Sequence, residues 1–269
     1  MTSYQETFKR KEIKYCINAS QYARIREGLA GHMQIDEYGA SGIDSLYYDT
    51  PSRSIIERSL EKPYYKEKLR VRRYRANAEL AYVELKKKVN GIVYKRRVQM
   101  PMKAAMAYMR GASYVDSMSK FADAENPTMA IDAAKLQISR ELDEFKKRYP
   151  GLRKSMIVSV TRTAWKPVEG VADSQNLRIT FDEDAMYKDM MAGTPGYNQV
   201  APSQGRITPA DTAIMEIKCL GAYPLWLVGL LNEVGAYPTS FSKYGEAYKI
   251  CTGAREAVVE PLDCVRAIA

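Results

Sequence analysis

Alternation of charged and apolar residues is the feature of this 269-residue chain that most limits how it can fold. In segment 65–75, YKEKLRVRRYR, the alternating residues are Lys68, Leu69, Arg70, Val71 and Arg72. Successive side chains of a β-strand point to opposite faces of a sheet. The segment is therefore predicted to be a strand with one charged and one apolar face. Arg73 is expected on the apolar, outer side.

Four further segments repeat this pattern. Their charged faces carry Glu12 and Lys14, Glu84 and Lys86, Arg178 and Asp182, and Glu216 and Lys218. An antiparallel sheet with its charged face in water would explain any one of these strands. A solvated face usually mixes in Ser, Thr, Asn and Gln, whereas these faces are almost entirely Arg, Lys and Glu. The repetition favours a closed barrel with a charged lumen and with helices over its apolar outside.

The other patterns complete an α+β fold. An antiparallel eight-stranded β-barrel tunnel is predicted from strands at 8–17, 44–50, 65–75, 81–89, 91–100, 155–167, 176–184 and 213–221. Asn90-Gly91 is a hairpin signal. Helices are predicted at 18–33, 52–62, 102–149, 223–236 and 240–253, and those at 18–33, 102–149 and 223–236 are expected to cover the outside. One domain is expected at 5–254, including the helical insert 102–149, followed by a tail at 255–269.

Composition excludes several classes of protein. The chain has 41 Lys and Arg against 32 Asp and Glu, and this net charge of +9 favours an anionic partner. With His32 as the single histidine and no CxxC pair, it has neither a zinc pattern nor a good basis for Ser-His-Asp or Cys-His catalysis. The four cysteines are interpreted as reduced thiols. The first residues lack a signal-peptide core and the apolar runs are too short to span a bilayer, so a cytoplasmic location is expected.

The charge of the predicted lumen indicates its ligand. A lumen with many Arg and Lys and fewer Glu would repel itself when empty, so an anion is expected inside it. Arg offers phosphate a planar, two-pronged contact, and Lys offers a compact charge. Carboxylates on the same face are typical ligands of Mg²⁺ or Mn²⁺ when the ion is shared with substrate phosphates. The residues alone therefore predict a metal–polyphosphate site.

Eight motifs occur in order along roughly residues 5–250. They are EIKY at 12–15, SLYYDTP at 45–51, LRVRRY at 69–74, VELKKK at 83–88 with YKRRV at 94–98, RTAW at 162–165, LRITFDED at 177–184, IMEIKCLGAYPLWL at 214–227 and SFSKY at 240–244. Together they resemble the VTC domain, the polyphosphate polymerase branch of the triphosphate tunnel metalloenzymes (CYTH-like superfamily). The resemblance implies a tunnel in which ATP donates its γ-phosphate to a growing polyphosphate chain, with Mn²⁺ or Mg²⁺ as cofactor.

The resemblance also implies roles for individual residues. The residues expected to hold phosphate are Lys14, Arg70, Arg72, Lys86, Lys95, Arg162, Arg178, Ser242 and Lys243. Those among them expected to act in catalysis are Lys14, Arg70, Arg72, Lys86, Arg178 and Lys243. Glu216 matches the family's metal-binding carboxylate, and Glu12 and Glu84 are further candidate ligands. Arg10 replaces the first Glu of the superfamily's ExExK signature, as is usual in the polymerase branch, and Ser240 replaces a Lys, which removes one basic contact.

Several alternatives stay open at this level. A metal-dependent triphosphatase on the same fold, or a regulatory subunit that binds polyphosphate without turnover, would use many of the same residues. Nucleic-acid binding is not expected, because Glu accompanies Lys on several strands, and a membrane partner is compatible with the sequence. Glu84 is equally well explained as an ion-pair partner, and the family match favours Lys95 over its neighbours as the inward residue. Four aromatic residues are interpreted as packing residues: Tyr47, Tyr48, Tyr74 and Trp165.

Overall fold

In the computed structural model, the described residues are 10–90, 92–122, 129–170, 174, 176–194 and 200–258. The strands are β1 Arg10–Asn18, β2 Met33–Asp49, β3 Tyr65–Tyr74, β4 Asn77–Val89, β5 Ile92–Pro101, β6 Arg153–Pro167, β7 Leu177–Asp189, β8 Gln204–Arg206, β9 Thr212–Leu220 and β10 Pro238–Thr239. The helices are α1 Ala19–Leu29, α2 Ser54–Leu60, α3 Met102–Met109, α4 Tyr114–Phe121, α5 Ala133–Arg148, α6 Leu225–Glu233 and α7 Lys243–Cys251. Gly91 of the predicted hairpin and residues 259–269 of the predicted tail lie outside the described residues.

The strands form one antiparallel sheet in the order β10-β1-β9-β7-β6-β2-β3-β4-β5, with β8 paired to β7. Eight of these strands have nine residues or more, and β8 and β10 are short additions. Backbone pairing does not join β5 to β10 within the described residues, so the sheet is not a fully hydrogen-bonded barrel. The sheet nevertheless curls, because Nζ of Lys86 on β4 lies 3.3 Å from Oε1 of Glu12 on β1, across five intervening strands. The predicted α+β class with an antiparallel tunnel is confirmed.

Two hydrophobic cores cover the outer face of the sheet. One packs α1 and α6 on β1, β7 and β9, where Ile179 and Ile217 are fully buried. The other packs α3, α4 and α5, which form the predicted helical insert, on β3, β4 and β5, where Leu69 and Leu85 are fully buried. Complete burial of one such side chain contributes about 1.5–3 kcal/mol. The apolar parity of the strands therefore faces these helices, as the alternation predicts.

A third core lies on the inner face of the sheet. Met156, Val158 and Val160 share the parity of Arg162 along β6, and all three belong to a core that also contains Tyr244 of α7 and Ile56 of α2. Because residues two apart on a strand face the same side, α7 packs against the concave side of the sheet. Helices therefore do not lie exclusively outside. The first turn of α7 is thereby brought to the charged residues of the interior.

Local sequence signals explain several element boundaries. Asn18 begins α1 with a capping box, in which its Oδ1 accepts from the backbone N of Gln21 at 2.9 Å and Gln21 Oε1 accepts from the backbone N of Asn18 at 3.0 Å.

The early part of β2 was not predicted, because residues 33–43 lack alternation and pair irregularly with β6 between Ile35 and Ala40. No helix within the described residues is long and apolar enough to cross a membrane.

Candidate functional site

The inner face of the curled sheet gathers basic side chains from seven strands and from the start of α7. Strand register places on this face Lys14, Lys68, Arg70, Arg72, Lys86, Lys95, Arg162, Arg178 and Lys218, and α7 adds Lys243. On β5 the same register excludes Arg96, which pairs with the outer residue Leu85, and places both Lys95 and Arg97 on the inner face, opposite Lys86 and Glu84. All basic residues predicted for the site therefore share one face.

Arg70 and Arg162 are each held by a buried carboxylate through two of their nitrogens, and we call these contacts the arginine pairs. Nε and Nη2 of Arg70 both lie 2.7 Å from Oε2 of Glu84. Arg162 makes a two-pronged contact with Asp182, with Nε at 2.5 Å from Oδ1 and Nη2 at 2.7 Å from Oδ2. Glu84 and Asp182 are almost completely buried. Such charge-assisted contacts fix both guanidinium groups in the tunnel before any ligand arrives.

The carboxylates of the arginine pairs are strongly ionised. Burial alone would raise the pKa of Glu84, but the positive charges of Arg70, Arg72 and Lys95 lower it to about 2. Lys95 Nζ is 2.5 Å from the second oxygen, Oε1, of Glu84. Burial would likewise raise the pKa of Asp182, and the charge of Lys243 with that of Arg162 holds it well below its usual range. Glu84 is thus an ion-pair centre, which is one of the two roles left open by the sequence.

Three lysines have weaker compensation, and we call Lys14, Lys68 and Lys86 the lysine group. Nζ of Lys14 donates to the carbonyl of Phe241 at 3.0 Å and lies 3.9 Å from Oε2 of Glu216. Nζ of Lys68 contacts Oγ of Ser242 at 2.9 Å, and Lys68 makes no salt bridge within the described residues. Burial lowers the pKa of Lys14 and Lys86, and it lowers that of Lys68 to about 8. Lys86 and Lys14 each have one carboxylate neighbour, Glu12 at 3.3 Å and Glu216 at 3.9 Å, whereas Lys68 has none within the described residues. The charge of this group is therefore only partly balanced, which favours the binding of an anion.

The predicted metal ligands lie in two places. Glu84 belongs to an arginine pair, whereas Glu216 and Glu12 both lie near Lys218. Glu216 is largely buried and lies 2.7 Å, at Oε1, from Nζ of Lys218, which is also 3.8 Å from Oε2 of Glu12. Burial would raise the pKa of Glu216, but the charges of Lys218 and Lys14 lower it to about 2. Within the described ranges, no group of three or more His, Cys, Asp or Glu could hold a metal ion. A single ionised carboxylate fits Mg²⁺ or Mn²⁺ only if substrate phosphates and water complete the coordination.

The remaining predicted residues lie on β7 and at the start of α7. Arg178 is half-exposed, and its Nη2 donates to Oδ2 of Asp36 at 2.9 Å. Ser242 begins α7, and its Oγ accepts from the backbone N of Gly245 at 3.2 Å. Lys243 contacts Asp182. Because α7 packs on the inner face, both Ser242 and Lys243 are presented to the tunnel by its first turn.

Sequence reasoning missed several residues of this face. Tyr47 and Ser45 lie inward on β2, where the hydroxyl of Tyr47 accepts from Nη1 of Arg70 at 3.1 Å and Oγ of Ser45 accepts from Nε of Arg72 at 3.3 Å. Alternation placed Asp182 on the charged face but did not assign it to the site. Ser45 and Tyr47 are two residues apart and so face the same side of β2, which could have placed both on the inner face. The adjacent Tyr48 made it unclear which of the two tyrosines faces inward.

Comparison with known proteins places the chain in a family. The VTC domain family matches residues 9–252, and the chain therefore belongs to that family. Family membership makes it a tunnel-fold enzyme of the kind that acts on phosphate compounds. No match was found among curated protein sequences.

Two solved structures are similar in outline. One is a candidate adenylate cyclase from Vibrio parahaemolyticus, with a TM-score of 0.44 and 11% identity, covering 90% of this chain and 99% of that one. The other is the PH1819 protein from Pyrococcus horikoshii OT3, with a TM-score of 0.42 and 14% identity, covering 91% of this chain and 100% of that one. With TM-scores below 0.5, neither structure says anything further about this chain.

Proposed function

We propose that this chain is a metal-dependent polyphosphate polymerase that transfers the γ-phosphate of ATP to a growing polyphosphate chain in its tunnel. The observation that carries the proposal is the crowding of cations on the inner face. Lys68, with a pKa of about 8, has cationic neighbours in Lys14 and Lys86, and no salt-bridge partner among the described residues. A densely anionic chain would relieve this repulsion, and a linear one could contact the whole face.

The arginine pairs support phosphoryl transfer specifically. Such transfer needs positioning and neutralisation of phosphate charge more than covalent chemistry. Arg70 and Arg162 are held by Glu84 and Asp182, so their remaining N–H groups are oriented before substrate binds. The attacking group would be a terminal phosphate, which is already ionised and needs no general base. The histidine is consistent with this, because His32 stacks on Trp226, away from the inner face.

We assign the divalent ion to Glu216, with Glu12 as a second carboxylate that shares its neighbour Lys218. When bound, Mg²⁺ or Mn²⁺ would supply charge neutralisation to the phosphate oxygens. The chain's own part is to keep Glu216 ionised, which Lys218 and Lys14 do. Lys14 and Arg162 would bind phosphate groups near Glu216, since the charges of both lower the pKa of this carboxylate. ATP and inorganic polyphosphate are therefore the proposed partners.

A product analysis tests this proposal. Purified protein is incubated with ATP and Mn²⁺, and polyphosphate, ADP and free phosphate are resolved over time. We expect polyphosphate and ADP to accumulate together. Free phosphate without polymer would replace the polymerase by a triphosphatase, and binding of polyphosphate without turnover would indicate a regulatory subunit.

A matched pair of variants tests the metal assignment. Glu216→Gln should lower turnover at least about 100-fold and weaken Mn²⁺ binding in the presence of tripolyphosphate, measured by calorimetry. Glu67→Gln is the control, because Glu67 is also buried but lies on the outer face, where it contacts Arg148 and Tyr65. Full metal-dependent activity of Glu216→Gln would remove the assignment.

A further inference from the structure

Tyr47 occupies an unusual position on the inner face. It lies on β2 opposite Arg70, and its side chain is 8% exposed. Its ring stacks on that of Tyr244, with centroids 4.5 Å apart and an interplanar angle of 17°. Tyr244 directly follows Ser242 and Lys243, which face the tunnel. Tyr47 thus joins the first turn of α7 to the arginine of β3.

The hydrogen bonding of the Tyr47 hydroxyl leaves its proton available. The oxygen accepts from Nη1 of Arg70 at 3.1 Å, and it donates no hydrogen bond within the described residues. Tyr244, by contrast, donates to Oδ2 of Asp49 at 2.7 Å and contacts Oγ of Ser155 at 2.8 Å. Tyr244 is therefore anchored, whereas Tyr47 offers an unused donor to the interior.

Charged groups surround this donor on several sides. β3 contributes Lys68, Arg70 and Arg72, β1 contributes Lys14, β4 contributes Glu84 through Arg70, and Asp49 and Arg53 lie behind Tyr244. Burial alone would raise the pKa of Tyr47, but the charges of Arg70, Arg72 and Lys68 lower it to about 8. A phenolic hydroxyl in such surroundings is a strong hydrogen-bond donor toward an anion.

We propose that Tyr47 is a phosphate-contacting residue, whose hydroxyl accepts a hydrogen bond from Arg70 and donates its own proton to an oxygen of the bound phosphate chain. This role rests on the proposed binding of phosphate in the tunnel. Tyr47 would be an uncharged hydrogen-bond donor to that phosphate, beside the charged donors Lys68, Arg70 and Arg72. Phosphate oxygens are acceptors, so a protonated phenol binds them whereas a phenolate repels them. Bound phosphate must then favour the protonated form of Tyr47.

A spectroscopic titration tests this linkage without measuring turnover. The absorbance of phenolate is followed against pH in the wild type, in Tyr47→Phe and in Tyr48→Phe. Tyr48 is the matched control, because it is the next residue, is buried in the outer core, and has its pKa raised to about 12 by burial. A phenol titrating near pH 8 should be present in the wild type and in Tyr48→Phe and absent from Tyr47→Phe.

Adding tripolyphosphate should move this low titration of the wild type upward by one pH unit or more. Because this shift is measured on the unaltered protein, it does not depend on how well a variant folds. Tyr47→Phe removes the hydroxyl but keeps the ring that stacks on Tyr244. Because one hydrogen bond to phosphate is lost, the variant should raise KM for ATP about tenfold, with a smaller change in kcat. Tyr48→Phe should leave KM unchanged.

Three results would overturn the assignment in distinguishable ways. If calorimetry detects tripolyphosphate binding but the titration does not move, Tyr47 does not contact phosphate although the tunnel does. If Tyr47→Phe and Tyr48→Phe have equal KM values, the hydroxyl has no role in binding. If tripolyphosphate does not bind the wild type at all, the proposed function fails together with this role.

Discussion

The arginine pairs and the lysine group share one face of the sheet but differ in how their charge is balanced. Arg70 and Arg162 each contact a buried carboxylate at 2.5–2.7 Å, and their pKa values are raised well above the ordinary range despite burial. Lys14 and Lys68 donate to a carbonyl and a hydroxyl instead, and their pKa values are lowered, first by burial. The guanidinium groups of the arginine pairs are therefore held in place before a ligand binds. The lysine group is instead a cluster of neighbouring positive charges with little compensation.

This difference separates two requirements of a polyanion site. A carboxylate beside an arginine lowers the site's net positive charge, but it fixes the guanidinium geometry that a reacting phosphate needs. A lysine with no carboxylate partner, such as Lys68, or with one only at 3.3–3.9 Å, such as Lys86 and Lys14, keeps more of its attraction for an anion. Its poorly balanced charge destabilises the protein when no ligand is bound. We infer that the arginine pairs position the phosphates and that the lysine group supplies affinity.

Removing a member of an arginine pair should have the largest effect. Arg70→Met leaves Glu84 buried with less compensation, so we expect the free energy of unfolding to fall by about 3 kcal/mol, measured by urea denaturation. Activity should fall at least about 100-fold, because a charged donor to phosphate is lost. A double variant, Arg70→Met with Glu84→Leu, should regain part of the stability without regaining activity. A single variant as stable as the wild type would break the distinction.

Removing a member of the lysine group should have the opposite effect on stability. Lys68→Met deletes a charge whose burial disfavours it, so the free energy of unfolding at pH 7 should stay unchanged or rise. Tripolyphosphate affinity, measured by calorimetry, should still fall about tenfold, since one desolvated phosphate contact is lost. Destabilisation as large as that of Arg70→Met would show that Lys68 is satisfied by Ser242 and that the two regions do not differ.

The pH dependence of stability sharpens the same comparison. Folding lowers the pKa of Lys68 from 10.5 to about 8, so between these values the unfolded chain holds a proton that the folded chain has released. Stability due to this group therefore rises with pH across that window. We expect the wild type to gain thermal stability relative to Lys68→Met between pH 8 and pH 10.5. Equal pH profiles for the two proteins would contradict the lowered pKa.

Much of this fold and site could be predicted because successive residues of a strand face opposite sides of the sheet, and the charged and apolar residues of these strands alternate. The strand predicted at 65–75 is β3 at Tyr65–Tyr74, and Lys68, Arg70 and Arg72 face inward as alternation requires. Tyr47 could not be assigned in this way, since two adjacent tyrosines have equal hydrophobicity and give no parity. The inner position of α7 could not be predicted either, because an apolar helix face does not reveal which side of a sheet it covers. The contact of Asp182 with Lys243 depends on that position.

The smallest effect is expected where parity places a charge outside. Arg73 is half-exposed, with Nη2 at 3.0 Å from Oδ2 of Asp44, and Arg75 contacts the same carboxylate at 2.9 Å. Arg73→Gln should therefore change the free energy of unfolding by less than about 0.5 kcal/mol and leave kcat/KM within about twofold. Arg72→Gln is its neighbour on the inner face, where Nε contacts Ser45, and it should lower kcat/KM at least about tenfold. If Arg73→Gln and Arg72→Gln lower kcat/KM equally, the face of the strand does not decide which arginine binds phosphate. The comparison of the arginine pairs with the lysine group would then lose its basis, because it assumes that only residues of the inner face bind the ligand.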